Sequence, residues 1–288
     1  MKIFVTIGTQ APFCRLIEWV NEFAEVHSID LCIQNMDSML SEEEMEKRML
    51  WADVIVAHAG IGTLIEARRL RKRLIVVPRL ARSGEQRNDH QLDTCAFVRE
   101  YGLAEVAETK EELFEYLEER NVSIEKGDSP HRYETPRMSR YFQLNLENQK
   151  VLSVSSFGGH TVELHQCLKM SKMGSLVMAC TGGECDYLID DFSRTDVWKI
   201  LRVMRQVWRI IRKEKPDVLI STGAAPGLAA IVVARAMGIT TIWIDSIATR
   251  SKLSLSGRLV KPFCKEYYVQ WPELARGRIK YMGNVLGL

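Results

Sequence analysis

Several things are scarce in this sequence, and each shortage closes off a class of answer. Eight prolines in 288 residues leave no proline-rich spacer. No run of about 20 consecutive apolar residues occurs, so nothing reads as a membrane-spanning helix. The amino terminus enters a strand-like stretch with no secretory-leader pattern. No two cysteines stand at CxxC spacing, which argues against a structural zinc site. The seven cysteines (Cys14, Cys32, Cys95, Cys167, Cys180, Cys185 and Cys264) are odd in number, scattered and mostly inside apolar runs, a pattern of reduced, buried thiols in a cytosolic compartment. An excess of either charge is nearly lacking too: the net charge is +2, which points to neither a nucleic-acid binder nor a strongly acidic partner.

What is present is ordinary globular material, 46% hydrophobic and 26% charged, in a chain long enough for two domains with their own cores. Strand-like and helix-like segments alternate. In the first half the strand candidates are KIFVTI, IDLCIQ, DVIVAH, RLIVVP and LAEVA, with an amphipathic helix around Leu16 to Val26. The second half repeats the rhythm with VLSVSS, GSLVMAC, DVLIST, TTIWID and YYVQW. Such alternation calls for parallel strands with right-handed crossovers. The expected architecture is α/β: two Rossmann-like, doubly wound parallel-sheet domains over residues 1–118 and 150–288, joined by a polar linker, residues 119–149, that holds two prolines and lacks a clear period. In both domains the first strand runs into small residues and glycine (FVTIGTQ and VLSVSSFGGH), at the carboxyl edge where such sheets bind ligands.

The stretch ADVIVAHAGIGTLIEARRLRKRLIVVPR, residues 52–79, carries most information. A strand closing near His58 is followed by Gly60, Gly62 and Thr63 and then a helix. Glycines there let a ligand approach the backbone, and the free N–H groups of the helix can receive a diphosphate. Glu66, farther along that helix, is a candidate acceptor for ribose hydroxyls. Asn88, Asp89, His90 and Gln91 form a polar loop with the donors and acceptors that sugar hydroxyls require. The plainer alternatives are a tight strand-to-helix turn, a solvated carboxylate and a helix-cap histidine.

These motifs, HAGIGTLIEA, LIVVPR and GEQRNDHQ together with FVTIGTQ, resemble the donor-binding half of split GT-B glycosyltransferases, the PssE type of capsule and exopolysaccharide synthesis and its eukaryotic relatives in lipid-linked oligosaccharide synthesis, and more distantly the carboxy-terminal domain of MurG. The second half, through SSFGGH, PDVLISTGAAPGLAA, TIWIDSIATRSKLSLSGRL and YYVQWPEL, resembles the partner PssD-type subunit. The donor half leads here, whereas in MurG it follows, so the chain looks like a fusion in swapped order. The resemblance implies a GT-B cleft between the domains. On the donor side it implies Gly8 and Thr9 in the first-strand loop, His58, Gly60, Gly62 and Thr63 at the diphosphate, Glu66 at the ribose, and His90 with Gln91, beside Asn88 and Asp89, at the sugar. Arg79, Arg82 and Arg87 flank that loop, a hint toward a carboxylate-bearing sugar. On the acceptor side it implies Ser156, Gly158 and Gly159 beside a candidate base His160, with Asp245 as the rival base or as the group that orients His160 or the acceptor. Thr222, Gly223 and Gly227 would hold a lipid diphosphate, with Ser246, Ser254 and Ser256 nearby.

Transfer from a UDP-sugar needs a base for the acceptor hydroxyl and dipoles or cations for the departing UDP. An imidazole titrates near neutrality. No Asp-x-Asp triplet occurs, so helix N-termini are expected to serve in place of a metal, and no cofactor is expected. The segment DVWKILRVMRQVWRIIRKEKPDV, residues 196–218, joins Trp198 and Trp208 to Arg202, Arg205, Arg209 and Arg212. It reads either as a membrane-interface helix or as a crossover helix with a basic outer face. The expected function is an inverting transferase moving a hexose-type sugar from a UDP-sugar to a polyprenyl-diphosphate-linked saccharide. The resemblance implies a β-1,4 linkage onto undecaprenyl-diphosphate glucose, on the cytoplasmic membrane face. UDP-glucuronate, UDP-galactose and UDP-N-acetylglucosamine remain open donors, and self-association remains open. The alternatives are a UDP-sugar epimerase and a non-catalytic, membrane-recruited UDP-sugar-binding subunit.

Overall fold

The computed structural model describes residues 1–8, 12–34, 40–86, 90–125, 141–192 and 197–287. The chain divides into two compact units, Met1–Thr135 and Pro136–Leu288.

The first unit runs β1 (Lys2–Thr6), α1 (Cys14–Val26), β2 (Asp30–Gln34), α2 (Glu42–Trp51), β3 (Val54–His58), α3 (Ile61–Arg69), β4 (Arg73–Val77), α4 (His90–Glu100), β5 (Glu105–Val106) and α5 (Lys110–Glu125). Its strands pair in parallel in the order β2-β1-β3-β4-β5. Every residue of β4 and all of β3 but His58 are buried, as a parallel strand covered on both faces requires. Leu16, Val20 and Phe23 recur at helical spacing and turn α1 onto the core. Ser41 caps α2 by accepting from the Glu44 N–H at 3.2 Å.

The second unit runs β6 (Asn145–Ser155), α6 (Gly159–Lys169), β7 (Lys172–Cys180), β8 (Tyr187–Leu188), α7 (Val197–Glu214), β9 (Val218–Ser221), α8 (Ala224–Ala236), β10 (Thr240–Ile244), α9 (Leu255–Val260), β11 (Glu266–Val269) and β12 (Ile279–Tyr281). Its sheet order is β12-β11-β10-β9-β6-β7-β8, again all parallel. Trp243 on β10 is fully buried at its centre, a side chain of the size whose burial contributes about 1.5–3 kcal/mol.

The α/β class and the two parallel sheets are as the sequence implied. The intervening segment differs from the expected linker at both ends. α5 continues to Glu125 because Leu113 and Leu117 bury one face and no glycine or proline interrupts the chain before Gly127. β6 begins at Asn145, where Asn145 and Leu146 pair with Lys172 and Met173 before a register shift, and Asn148 takes a positive φ of 65°. Two further strands, β8 and β12, escaped notice because they are two and three residues long.

All seven cysteines are free: Cys14 is exposed, Cys32 and Cys185 are half-buried, and Cys95, Cys167, Cys180 and Cys264 are buried. Burial pushes the thiols of Cys95 and Cys264 up to about 12 and that of Cys180 up to about 11.

Candidate functional site

In each sheet the strand order reverses direction at one point, and ligands of such folds bind beyond the carboxyl ends there. In the first unit that point lies between β1 and β3. Gly8 follows β1 with φ 73°, and His58 ends β3. The imidazole lies against two glycine backbones: a Cβ on Gly8 would come within 2.6 Å of Cε1 and one on Gly60 within 2.2 Å of Nε2. Those glycines therefore make room for His58. Gly60 is the N-cap of α3, whose first turn, including Gly62 and Thr63, carries no acidic side chain. Its leading N–H groups have no helical partner and present a positive end to an anion.

Around this turn the other predicted donor residues have varied company. Arg79 is buried; its guanidinium donates to the carbonyls of Ile7 at 2.6 Å, Pro12 at 2.7 Å and Glu85 at 3.2 Å and stacks on Phe13. Burial lowers its pKa, against the opposing charge of Glu85. Arg79 thus braces the loop after β1, and among the described residues there Arg82 is exposed. Gln91 accepts from the Arg79 N–H at 2.9 Å, tying the start of α4 to the end of β4. Glu66 pairs with Arg69 at 2.8 Å, and Arg69 also reaches Glu46 at 2.9 Å. His90 opens α4. Thr9, Arg87, Asn88 and Asp89 lie outside the described residues.

Sequence reading passed over Arg15 and Glu85. Arg15 donates to both oxygens of Glu85, at 2.8 and 2.9 Å, and to the Pro78 carbonyl at 2.8 Å. Burial raises the Glu85 carboxyl, but the Arg15 and Leu80 hydrogen bonds and two guanidinium charges outweigh it and hold the pKa below its usual value. This pair fixes the loop that leads into the polar segment.

In the second unit the reversal lies between β6 and β9. Gly158 takes φ 102° as the N-cap of α6, a conformation that favours glycine. His160 follows in the first turn. Its ring lies on the backbone of Gly223, where a Cβ would stand 2.6 Å from Cε1, and Thr222 donates its hydroxyl to the His160 carbonyl at 3.0 Å. Gly223, at φ 152°, is the N-cap of α8, and Ala224 follows at φ 59°. A left-handed alanine at a helix start is a strained backbone of the kind that clusters at functional sites. The contact of His160 with Gly223 brings the N-termini of α6 and α8 together. Ser156 adjoins them, its carbonyl accepting from Thr161 at 2.8 Å. Gly159 is open, with no heavy atom within 4 Å of an added Cβ.

The His160 Nδ1 is enclosed and has no hydrogen-bond partner; the nearest acid, Glu163 one turn along α6, stands 3.9 Å away. Burial lowers the imidazole to about 4 although 34% of the side chain is exposed. The exposed edge and the nearby acid both oppose that fall, and the ring is neutral at pH 7. Burial raises Glu163 to about 7, against hydrogen bonds from the Ile247 N–H, Ser246 and Gln270.

Asp245 is buried and accepts from the Ser254 N–H at 3.0 Å, the Ser254 hydroxyl at 2.5 Å and the Trp243 indole at 3.3 Å. Ser254 in turn caps α9 through the Gly257 N–H at 2.9 Å. Burial raises the Asp245 pKa, the serine hydrogen bonds opposing. Its oxygens serve the α9 cap, and the acid beside His160 is Glu163. Ser246 donates to Glu163 at 2.8 Å. Gly227 is a packing residue, since a Cβ there would meet the Ser221 hydroxyl at 2.0 Å. Ser256 lies in the first turn of α9, half-buried.

α7 has one buried and one exposed face. Val203, Val207, Ile210 and Ile211 face the core, while Trp198 is 85%, Leu201 56% and Trp208 41% exposed. Arg202, Arg205, Arg209 and Arg212 share that outer face, with Arg212 lying over the Trp208 ring. Among the described residues no helix is long and apolar enough to cross a membrane, and no group of three or more His, Cys, Asp or Glu is placed to hold a metal.

Comparison with known families divides the chain in the same way. Residues 3–141 match the glycosyltransferase family 28 C-terminal domain, and residues 190–285 match the Alg14-like oligosaccharide biosynthesis family. The chain is 28% identical over 174 residues to the UDP-N-acetylglucosamine transferase subunit ALG14 of Yarrowia lipolytica, covering 47% of this chain and 81% of that protein. It is 26% identical over 141 residues to the UDP-N-acetylglucosamine--N-acetylmuramyl-(pentapeptide) pyrophosphoryl-undecaprenol N-acetylglucosamine transferase of Shouchella clausii, covering 49% of this chain and 38% of that one. Among solved structures, UDP-GlcNAc 2-epimerase from Methanocaldococcus jannaschii is similar at TM-score 0.37 and 15% identity, over 48% of this chain and 46% of that one.

Proposed function

We propose that this chain is a UDP-sugar glycosyltransferase in which the first unit binds the donor and the second supplies the base and binds a lipid-diphosphate-linked acceptor. The observation that carries the reading is the pairing of His160 with Gly223, which sets a neutral imidazole between two helix N-termini at the switch point of a parallel sheet. The donor half has a matching construction in His58, Gly8, Gly60 and the first turn of α3. The family matches support it, because a domain named C-terminal in its own family here precedes an Alg14-like segment, as a fusion in swapped order would have it.

The mechanism follows from these parts. The α3 turn receives the UDP diphosphate, Glu66 exchanges Arg69 for ribose hydroxyls, and the α6 and α8 N-termini receive the lipid diphosphate near Ser156, Gly158, Gly159 and Gly223. His160 takes the acceptor proton as the hydroxyl oxygen attacks the anomeric carbon with inversion, and the bond to UDP breaks with its electron pair leaving on UDP. Exchanging Arg69 costs little, since exposed ion pairs contribute about 0–1 kcal/mol.

Both relatives are named for N-acetylglucosamine transfer, which favours UDP-N-acetylglucosamine over UDP-glucuronate and UDP-galactose; with Arg79 committed to backbone carbonyls, the hint toward glucuronate weakens. The acceptor is a polyprenyl-diphosphate-linked saccharide, with undecaprenyl-diphosphate glucose one member of the class, reached from the cytoplasmic membrane face through α7. A screen of the three donors against a synthetic polyprenyl-diphosphate monosaccharide, read by product mass and linkage, is expected to give one inverted product, and to do so in excess chelator. UDP-sugar epimerised without acceptor, or UDP bound with no turnover on any lipid-linked acceptor, would replace this reading with one of its alternatives.

A further inference from the structure

We propose that Glu163 is the positioning residue of the base: it turns the His160 ring so that Nε2 faces the acceptor, and its negative charge offsets the positive charge that the ring gains with the acceptor's proton. This rests on the reading of His160 as the base. Glu163 is itself 1% exposed and cannot swing away, because one oxygen accepts from the Ile247 N–H at 2.6 Å and from the Gln270 amide, and the other from the Ser246 hydroxyl at 2.8 Å. These donors come from beyond β10 and β11, so the carboxylate is fixed to the sheet while its own helix carries the histidine. The oxygen held by Ser246 is the one 3.9 Å from His160 Nδ1.

That distance is too long for a hydrogen bond and short enough for strong attraction once the ring is charged. Nδ1 is enclosed and unpartnered, whereas part of the ring stays exposed. An enclosed N–H facing a carboxylate leaves the Nε2 lone pair for the acceptor. In the transfer step the acceptor O–H bond breaks and its proton goes to Nε2. The oxygen pair forms the bond to the anomeric carbon, and the bond from that carbon to UDP breaks with its pair leaving on UDP. The imidazolium left behind then faces an anion across the 3.9 Å gap.

The groups facing Glu163 are His160 and Cys167 on its own helix, Asp245 from the end of β10, and the neutral donors of Ser246, Ile247 and Gln270. Burial first, and Asp245 with it, raises the carboxyl to about 7, so Glu163 changes charge near neutrality. When it is protonated, the counter-charge is gone and the ring is a poorer base.

The test uses the full chain, UDP-N-acetylglucosamine and a polyprenyl-diphosphate monosaccharide. Glu163→Gln is expected to lower kcat about 10- to 100-fold, as loss of a group that orients an imidazole does elsewhere, with KM for the nucleotide sugar unchanged. The ascending acid limb of the kcat profile near pH 7 should flatten, and Glu163→Asp should restore part of both. Histidine NMR at pH 8, with the resonance assigned by its loss in His160→Ala, should show His160 protonated at Nδ1 in the parent and shifted toward the Nε2–H form in Glu163→Gln. A Glu163→Gln enzyme with wild-type rate and profile, or one that is merely less stable with its profile and its His160 tautomer unchanged, would overturn the proposal. Retained activity in His160→Ala would instead overturn the assignment of the base.

Discussion

At the scale of single residues, three glycines do the same work: Gly8 and Gly60 in the first unit and Gly223 in the second each leave room for an imidazole. Gly223→Ala would drive a methyl to 2.6 Å from the His160 ring. Its backbone strain is expected to cost about 1–3 kcal/mol of stability, and an ångström-scale shift of the base about 100-fold in kcat. UDP affinity, measured by calorimetry, should be unchanged. Gly159→Ala is the complementary case. Nothing stands near the added methyl, so the fold should hold, and a raised KM for the lipid-linked acceptor would report close approach of the ligand to that backbone. Titration gives a third expectation. Glu163, raised from 4.5 to about 7, contributes stability that is present below 4.5 and lost as pH rises through 7; His160, lowered from 6.5 to about 4, contributes stability that is present above 6.5 and lost as pH falls through 4. Between pH 4.5 and 6.5 the two slopes oppose each other. Glu163→Gln removes one, so denaturant midpoints of the variant should rise with pH across that window more steeply than those of the parent. The glycines and His160 were legible in the sequence because strand-to-helix turns constrain which residues fit. That Glu163 is the acid beside His160 was not, because the acid that meets His160 is decided by which loops close over α6, and its position in the sequence, GGHTVE, looks like an ordinary helix carboxylate.

At the scale of elements, α7 presents the clearest division of labour. Ile211 is buried and Trp198 is 85% exposed on the same helix. Ile211→Ala is expected to cost about 2–5 kcal/mol in urea unfolding, and Trp198→Ala almost nothing there. On anionic phospholipid vesicles the order should reverse. Trp198→Glu with Trp208→Glu should abolish sedimentation with vesicles, and neutralising Arg205 or Arg209 should each weaken it by about 1 kcal/mol, with strong salt dependence. The sequence showed the helix and its basic face, but periodicity alone could not say that Val203, Val207, Ile210 and Ile211 are buried while Trp198, Leu201 and Trp208 stay exposed. The ends of α5 and β6 were misjudged for a related reason: both are polar on the face left to water, so their text resembles a connecting segment while Leu113, Leu117, Leu146 and Val151 are buried on the other face.

At the scale of the whole molecule, each unit has its own sheet and core, so residues 1–135 and 136–288 expressed as separate chains should each fold cooperatively. The first is expected to bind UDP and the second anionic vesicles, neither transferring sugar alone. Failure of both to fold, seen by circular dichroism, would mean that the units depend on each other. The repeated architecture was legible because βαβ alternation is written into local periodicity, whereas which residues end a domain depends on tertiary burial. The thiols offer a means of watching the units separately. Cys14 alone is exposed, and the sealed cysteines divide between the two, Cys95 in the first and Cys167, Cys180 and Cys264 in the second. A small alkylating reagent at pH 8 would therefore mark Cys14 at once, the half-buried Cys32 and Cys185 more slowly, and each sealed sulfur only as its surroundings open. Peptide masses taken along a denaturant series would yield two melting curves from one sample, without any engineered label.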